Sequence, residues 1–291
     1  MSFLEAIFLA IVQGIAEFLP ISSSGHLAIF KYVFNVNTDT GMLYDIMLHI
    51  GTLVAVFIVF WKDIVMLVKE GFLIIGDFFV NVAYFVRNFF KSDKLAYRKV
   101  VNTPYRRFVM LVILATIPTG IIGIVLGDVV EMAGTSLIIP GICLLITGVL
   151  LLISDNVKEK GEDESSFSYF KGIVVGIVQG MATFPGISRS GSTITAGLLC
   201  GMERSFAVKF SFILSIPAIL GAAVLELKDF NQLTLVSNEL LYYIIGTAVA
   251  AVVGYACIRW LLVLVKNKKF KFFAIYCFIV GGFSVIAHFL I

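Results

Sequence analysis

Residues 11–25 read IVQGIAEFLPISSSG and residues 177–191 read IVQGMATFPGISRSG. The two stretches align without a gap at a constant offset of 166, and ten of their fifteen positions are identical. Apolar composition alone does not reproduce Val-Gln-Gly, Ala-x-Phe and Ile-Ser-x-Ser-Gly in register. The chain is therefore an internal duplication. In each copy an apolar helical segment runs into a break. Phe3–Phe18 meets Pro20 and the tract Ser22-Ser23-Ser24-Gly25, whereas Lys171–Phe184 meets Pro185-Gly186 and then Ser188 to Thr193. A second short apolar helix follows each break.

The solvent around these segments is lipid. Of 291 residues, 59% are hydrophobic and 14% charged, with a mean hydropathy of +1.01. A soluble domain has roughly 45–50% apolar and about 25% charged residues. Twenty-two basic and 19 acidic residues cannot cover the exterior of a soluble fold of this length. The same figures exclude disorder and a secreted disulfide scaffold. Cys143, Cys200, Cys257 and Cys277 all lie in apolar runs without metal-like spacing and read as small buried hydrophobes. There is no CxxC, no Gly-rich phosphate loop and no basic aromatic stretch, so nucleic acid is not an expected partner. The N-terminus brings no basic region of a signal peptide before its apolar run.

Crossing the hydrocarbon core takes about 20 apolar residues in a helix. Six segments meet this: about 42–61, 108–126, 137–153, 206–225, 240–258 and 272–291. Residues 64–90 are apolar but interrupted by Lys69, Glu70, Asp77 and Arg87, which suits either an interfacial helix or a further tilted span. The two broken segments fail as simple spans. Non-helical backbone at membrane depth is tolerated only where protein or a water-filled cavity surrounds it, so both read as re-entrant hairpins, about 3–35 and 172–202.

Basic residues give the orientation. Seven Lys and Arg between 87 and 107 place that loop in the cytoplasm, and the lysines at 266, 268, 269 and 271 place the 259–271 loop there as well. The loops at 127–136 and 226–239 hold a single lysine, Lys228, and face out. Each half then has one hairpin and three crossings. Three is odd, so the second hairpin enters from the side opposite the first: the first from outside, the second from inside, with both termini outside. The expectation is an all-α integral membrane protein with an inverted-topology repeat. Residues 1–153 form one half, 154–171 a solvated cytoplasmic linker and 172–291 the other half. Gly172, Gly176 and Gly180, and likewise Gly197 and Gly201, recur every fourth residue and suit close helix packing.

Inverted hairpins bring their tips together near the midplane. One tip supplies Gln13, Glu17, Ser22, Ser23, Ser24 and His26; the other supplies Gln179, Thr183, Ser188, Arg189, Ser190, Ser192 and Thr193. Charge at such depth points to function. The copies have diverged at polar positions, since Glu17 aligns with Thr183 and Ser23 with Arg189. An acid and a row of hydroxyls opposite one guanidinium suit phosphoryl transfer, which mainly needs positioning and charge neutralisation. Arginine matches phosphate oxygens bidentately, and hydroxyls and helix-start amides add donors. Glu17 suits a general base or a metal ligand, and His26 a general acid or the base of a serine. Gln13 and Glu17, four apart, share a helix face.

The same residues have structural readings. Ser22 and Ser24 suit helix caps, Arg189 an ion pair with Glu17, and His26 a hydrogen bond at a helix start. Asp45 and His49 read as an interfacial structural pair rather than cavity lining, Lys209 as a snorkelling lysine, and His288 as incidental.

Residues Glu17 to His26 and Pro185 to Thr193 resemble the two signature motifs of the undecaprenyl-diphosphate phosphatases of the bacitracin-resistance type. The resemblance covers essentially the whole chain, because motif separation, span count and the stretch Phe210–Pro217 fit as well. It implies hydrolysis of undecaprenyl diphosphate to undecaprenyl phosphate, which recycles the lipid carrier of bacterial peptidoglycan synthesis and confers bacitracin resistance. It further implies a site on the extracytoplasmic face of the plasma membrane and a divalent cation, Mg²⁺ or Ca²⁺. By the resemblance Ser23 is a candidate nucleophile, Arg189 the phosphate clamp, Glu17 a base or metal ligand, and His26 a proton donor or acceptor. Ser22, Ser24, Ser188, Ser190 and Thr193 are candidate phosphate binders. The family's acid pair is Gln13 and Glu17 here, which leaves one carboxylate for a metal. The partners implied are the polyprenyl diphosphate and membrane lipids, and a homodimer is compatible with such a sequence. The rival reading is a transporter or flippase of a polyprenyl phosphate or other anion, because inverted repeats and broken helices mark that class too.

Overall fold

The computed structural model describes residues 1–33, 41–158, 160–226, 237–266 and 269–290. Among these the architecture is all-helical, apart from an isolated bridge between Glu162 and Met202. The first broken segment is α1 (Phe3–Ala16) and α2 (Ser23–Val33); α3 (Gly41–Val59) and α4 (Trp61–Phe90) follow. Then come α5 (Pro104–Gly134) and α6 (Ile138–Asn156). The second broken segment is α7 (Tyr169–Met181) and α8 (Arg189–Leu199), and α9 (Arg204–Glu226), α10 (Ser237–Lys266) and α11 (Lys271–Leu290) complete the chain. Among the described residues five helices are long and apolar enough to cross a membrane, and the α3–α4 pair, bent by 88°, brings the count to as many as six. This is a multi-pass membrane protein. The far end of the first hairpin and the loop holding Lys228 lie outside the described residues.

Helices outrun the spans drawn from apolarity. α5 begins at Pro104 rather than 108 and continues to Gly134, and α10 continues to Lys266, through much of the segment expected to be a loop. Hydrophobicity marks where lipid lies, whereas a helix ends where its backbone finds other partners. For α5 the start is fixed by Thr103, whose side-chain oxygen accepts the Arg106 amide at 3.1 Å, with Pro104 in the first turn. Residues 64–90 form a single helix lying across the direction of α3. The 154–171 segment is not a free linker either. α6 takes its first residues, to Asn156, and α7 its last, from Tyr169; between them residues 162–167 are docked on the protein. Glu162 exchanges backbone hydrogen bonds with Gly201 and Glu203, Lys171 pairs with Glu162, and Phe167 is buried against Phe206. Asp163 accepts hydrogen bonds from Ser165 and Ser166, which hold its carboxyl down at about 2.

The halves are packed into each other. α1 lies along α10, while α7 lies along α5, and α6 pairs with α11. Small residues allow each contact. Ala6, Ala10 and Gly14 line the buried face of α1, and Gly14 sits so close to Val253 and the Ala250 carbonyl that a Cβ would lie 2.8 Å from one and 2.9 Å from the other. Gly172, Gly176 and Gly180 occupy the same places in α7, 166 residues on, against Leu111, Ala115 and Ile122 of α5. The fourth-residue glycine stripe is thus a packing face. At the α6–α11 crossing, Gly141 and Gly281 face each other's carbonyls, 2.7–3.0 Å from where Cβ atoms would stand. All four cysteines are unpaired, and Cys143, Cys257 and Cys277 are buried among apolar side chains as expected.

Candidate active site

Each break builds the same local structure. In the first, Ser22 Oγ accepts the Gly25 amide at 3.3 Å and lies 3.4 Å from Ser24 Oγ; in the second, Ser188 Oγ accepts the Gly191 amide at 3.1 Å and lies 3.3 Å from Ser190 Oγ. These are helix caps for α2 and α8, placed 166 residues apart, and they satisfy amides that no helical carbonyl reaches. The turns are made differently. The first puts Ser22 itself at φ 69°, while the second uses Gly186 at φ +96°. The tips also touch. Ser22 Oγ accepts the Gly186 amide at 3.1 Å, and a Cβ on Gly25 would lie 2.6 Å from the Gly186 Cα. Only glycine at both positions permits this approach.

Where the tips meet, Glu17 and Arg189 converge. Glu17 caps the end of α1, its own amide donating to the Gln13 carbonyl, so its side chain enters the break. One carboxylate oxygen, Oε2, accepts from Ser23 Oγ at 2.6 Å and from Gln13 Nε2 at 3.0 Å. The other, Oε1, accepts from the Arg189 guanidinium at the start of α8. The side chains of Glu17 and Arg189 are 5% and 17% exposed, so this is a buried ion pair between residues 172 apart in sequence. Removing one partner of such a pair costs about 3–5 kcal/mol, because a charge is then left unpaired. Arg189 Nη1 and Gln13 Oε1 are buried with no hydrogen-bond partner, so a donor and an acceptor remain open beside the carboxylate.

The site gains a residue that sequence reasoning set aside. His49 on α3 donates from Nδ1 to the Asp45 carbonyl at 2.8 Å, which fixes the ring and leaves Nε2 3.9 Å from Glu17 Oε2. Its side chain is 34% exposed, the most open in the cluster. The i, i+4 spacing of Asp45 and His49 was the available signal, and it reported a contact through the Asp45 backbone. His26, by contrast, faces away from the carboxylate. Its Nδ1 donates to the Ser22 carbonyl and its Nε2 accepts from the Tyr276 hydroxyl of α11, both at 2.8 Å. The carbonyl can only accept, which fixes that assignment of the proton.

The remaining candidates divide. Thr193 hydrogen-bonds Ser211 and the Arg189 carbonyl, and so supports α8 from behind. Ser188 also donates its amide to Thr147 at 3.0 Å. Ser192, three residues beyond Arg189, has a buried hydroxyl with no partner. In the second tip, Gln179 and Thr183 are spent on structure: Gln179 Nε2 reaches the Leu214 carbonyl at 3.3 Å, and Thr183 donates to the Gly180 carbonyl at 2.9 Å. The cluster that remains is Gln13, Glu17, Ser23, His49 and Arg189. Lys209, read as a snorkelling lysine, places its ammonium between Asp63 at 3.4 Å and Glu164 at 3.6 Å.

Comparison with known proteins adds the following. The family model described as "Bacitracin resistance protein BacA" matches residues 6–283. The chain is 41% identical to the undecaprenyl-diphosphatase of Methanosphaera stadtmanae over 283 residues, 97% of each chain. It is 40% identical to that of Alkaliphilus metalliredigens over 286 residues, 98% of each. The Methanobrevibacter smithii protein of the same name is also 40% identical, over 97% of this chain and 96% of its own.

Proposed function

We infer that the chain, which belongs to the bacitracin resistance protein BacA family, hydrolyses undecaprenyl diphosphate to undecaprenyl phosphate and inorganic phosphate. It is a membrane-embedded phosphatase, and bacitracin resistance and a role in peptidoglycan synthesis accord with the family. Its substrate is a lipid whose apolar tail stays in the hydrocarbon while the diphosphate reaches the polar tips.

The architecture proposed for this activity is an inverted repeat of residues 1–153 and 172–291, each with a re-entrant hairpin and three spans. The exchanged packing of α1 on α10 and α7 on α5 supports it, as do the matching caps at Ser22 and Ser188. The plasma membrane is the proposed location, with the site opening to the extracytoplasmic side. Parity of crossings and the basic segments that flank α4 and α11 support that side.

One observation carries the catalytic reading: a single buried carboxylate is shared by Ser23 of one tip and Arg189 of the other. Ser23 Oγ attacks the terminal phosphorus as its proton passes to Glu17 Oε2, the P–O bond to the bridging oxygen breaks, and undecaprenyl phosphate leaves. Water then attacks the phosphorus and the P–Oγ bond breaks; the water's oxygen and one proton leave as hydrogen phosphate, its other proton restores the Ser23 hydroxyl, and Glu17 releases its proton to solvent as the enzyme resets. Arg189 neutralises the phosphoryl oxygens as charge moves, with its open Nη1 as the first donor. His49, half-open at the edge of the cluster, suits proton exchange between Glu17 and the bound phosphate. The helix-start amides of α2 and α8 face the same junction.

A divalent cation, Mg²⁺ or Ca²⁺, fits this set only in part. Among the described residues no group of three His, Cys, Asp or Glu is arranged to hold a metal. Glu17 with the open Gln13 Oε1 supplies two oxygens, and Mg²⁺ commonly completes such a set with substrate phosphates and water. When bound, the cation would neutralise diphosphate charge.

Phosphate release from the C55 diphosphate by purified protein in detergent, with Mg²⁺ and with chelator, tests this. Detergent removes any gradient, so release there cannot come from transport. Full release by Arg189→Ala would refute the site, and no release by the wild-type chain would refute the activity.

A further inference from the structure

Among the described residues α4 is a long helix set nearly at right angles to the helix before it. Its 88° bend from α3 at Phe60 puts it in the membrane plane if α3 crosses the membrane. Its two faces have opposite fates. Asp63, Glu70 and Asp77, each seven residues apart, point inward and are engaged. Tyr105 donates to Asp63, Arg106 bridges Glu70 and Asp77 at 2.8 and 2.7 Å, and Arg98 adds a second contact to Asp77. Asn81 and Asn88 clasp the backbone of Arg98 and Leu95 in the returning segment. The opposite face, with Val68, Phe72, Ile75, Phe79, Val82 and Val86, is exposed along the whole helix. This arc is broad and rich in phenylalanine, wider than the narrow seam by which two helices pair, and it suits the headgroup–acyl boundary.

The charges decide what lies beside it. Lys62, Lys69 and Arg87 fall on a single margin of the apolar arc by helical spacing, and Lys91, Lys94 and Lys99 follow in the return segment. All six are exposed, and none makes an ion pair among the described residues. The acids of α4 are meanwhile spent inward. An unpaired basic margin next to an apolar face complements a layer of anionic headgroups over acyl chains. We propose that α4 is an in-plane anchor whose basic margin binds anionic phospholipid headgroups of the leaflet into which its apolar face is laid. This stands independently of the catalytic reading.

The test uses Trp61, on the apolar arc at the start of α4 and 60% exposed. Trp260 is the only other tryptophan, and Trp260→Phe retains the ring that meets Phe273. The full-length W260F chain is reconstituted in bilayers of phosphatidylcholine and phosphatidylglycerol, with one or the other carrying brominated acyl chains. Brominated phosphatidylglycerol should quench Trp61 with an association constant about threefold or more above that of brominated phosphatidylcholine. Molar salt should erase the difference. Replacing all six of Lys62, Lys69, Arg87, Lys91, Lys94 and Lys99 by Gln should bring the ratio to about one, with turnover in detergent unchanged, whereas exchanging Lys and Arg at the same six positions should retain it. Equal quenching in the W260F chain, or a preference that survives the Gln substitutions or high salt, overturns the proposal. Quenching by neither lipid also overturns it, and would mean that protein, such as a second copy, covers the face.

Discussion

In the first broken segment Ser22 caps α2 through Gly25 and sits beside Ser24; in the second Ser188 caps α8 through Gly191 and sits beside Ser190. The frame is repeated, and the cargo differs. Where the first tip has Glu17, the second has Thr183, bonded to its own helix. Where the second has Arg189, the first has Ser23. The glutamine pair repeats the contrast, since Gln13 donates to Glu17 and Gln179 to the Leu214 carbonyl. Duplication built a junction with two equivalent caps, and divergence placed acid and hydroxyl on one side and the guanidinium on the other. That division suits chemistry on a ligand held between the tips.

The comparison breaks most sharply at the diverged positions. Arg189→Ala should lower kcat by about 10³-fold or more, since it removes the charge facing the phosphoryl group. Thr183→Val, at the position where the second tip has a threonine in place of Glu17, should stay within a few-fold, because that hydroxyl is bonded to its own helix. Phosphate release measures both, and comparable losses would make the tips equivalent. Next, Ser23→Ala should abolish turnover while thermal stability stays near wild type. Ser188→Ala should do the reverse, losing about 1 kcal/mol of cap stability with turnover largely kept. If Ser188→Ala instead abolished turnover at unchanged melting temperature, Ser188 would be a phosphate ligand rather than a cap.

A smaller effect separates the two histidines. His49→Gln should lower kcat about tenfold and flatten the pH–rate profile if His49 exchanges protons at Glu17. His26→Gln, altering a ring held by Tyr276, should show itself first in melting temperature. The smallest change sharpens the cation question. Gln13→Glu gives the first tip a second carboxylate and should lower the Mg²⁺ concentration for half-maximal turnover, whereas Gln179→Glu should leave it unchanged.

Much of this was legible in the sequence. A gapless repeat with ten identities exposes a duplication without any three-dimensional information, and apolar length locates most of the spans. Glu17 and Arg189 stood out because charge is rare in such a chain, and they meet. Ser23 joins them for a different reason, as a hydroxyl adjacent to the break that aligns with Arg189. Other features were hidden because the sequence shows residue types and not directions. His49 looked like half of an interfacial pair, since nothing in its spacing reveals that α3 turns it toward Glu17. His26 sits in the signature segment, yet one turn of α2 carries it toward α11. Residues 162–167 carry many charges and read as solvated, but Phe167 and the Glu162 backbone bonds tie them down. The ends of α5 and α10 were missed because a helix keeps its hydrogen bonds past the point where its side chains stop being apolar.

The central claim is that one carboxylate, held by both tips, runs the reaction. Glu17→Gln keeps the side chain's size and a carbonyl oxygen for Ser23, and removes only the charge and the basicity. Phosphate release from undecaprenyl diphosphate by this variant, purified in detergent with Mg²⁺, should fall by about 10³-fold or more while the protein elutes as wild type. Turnover within a few-fold of wild type would contradict the account.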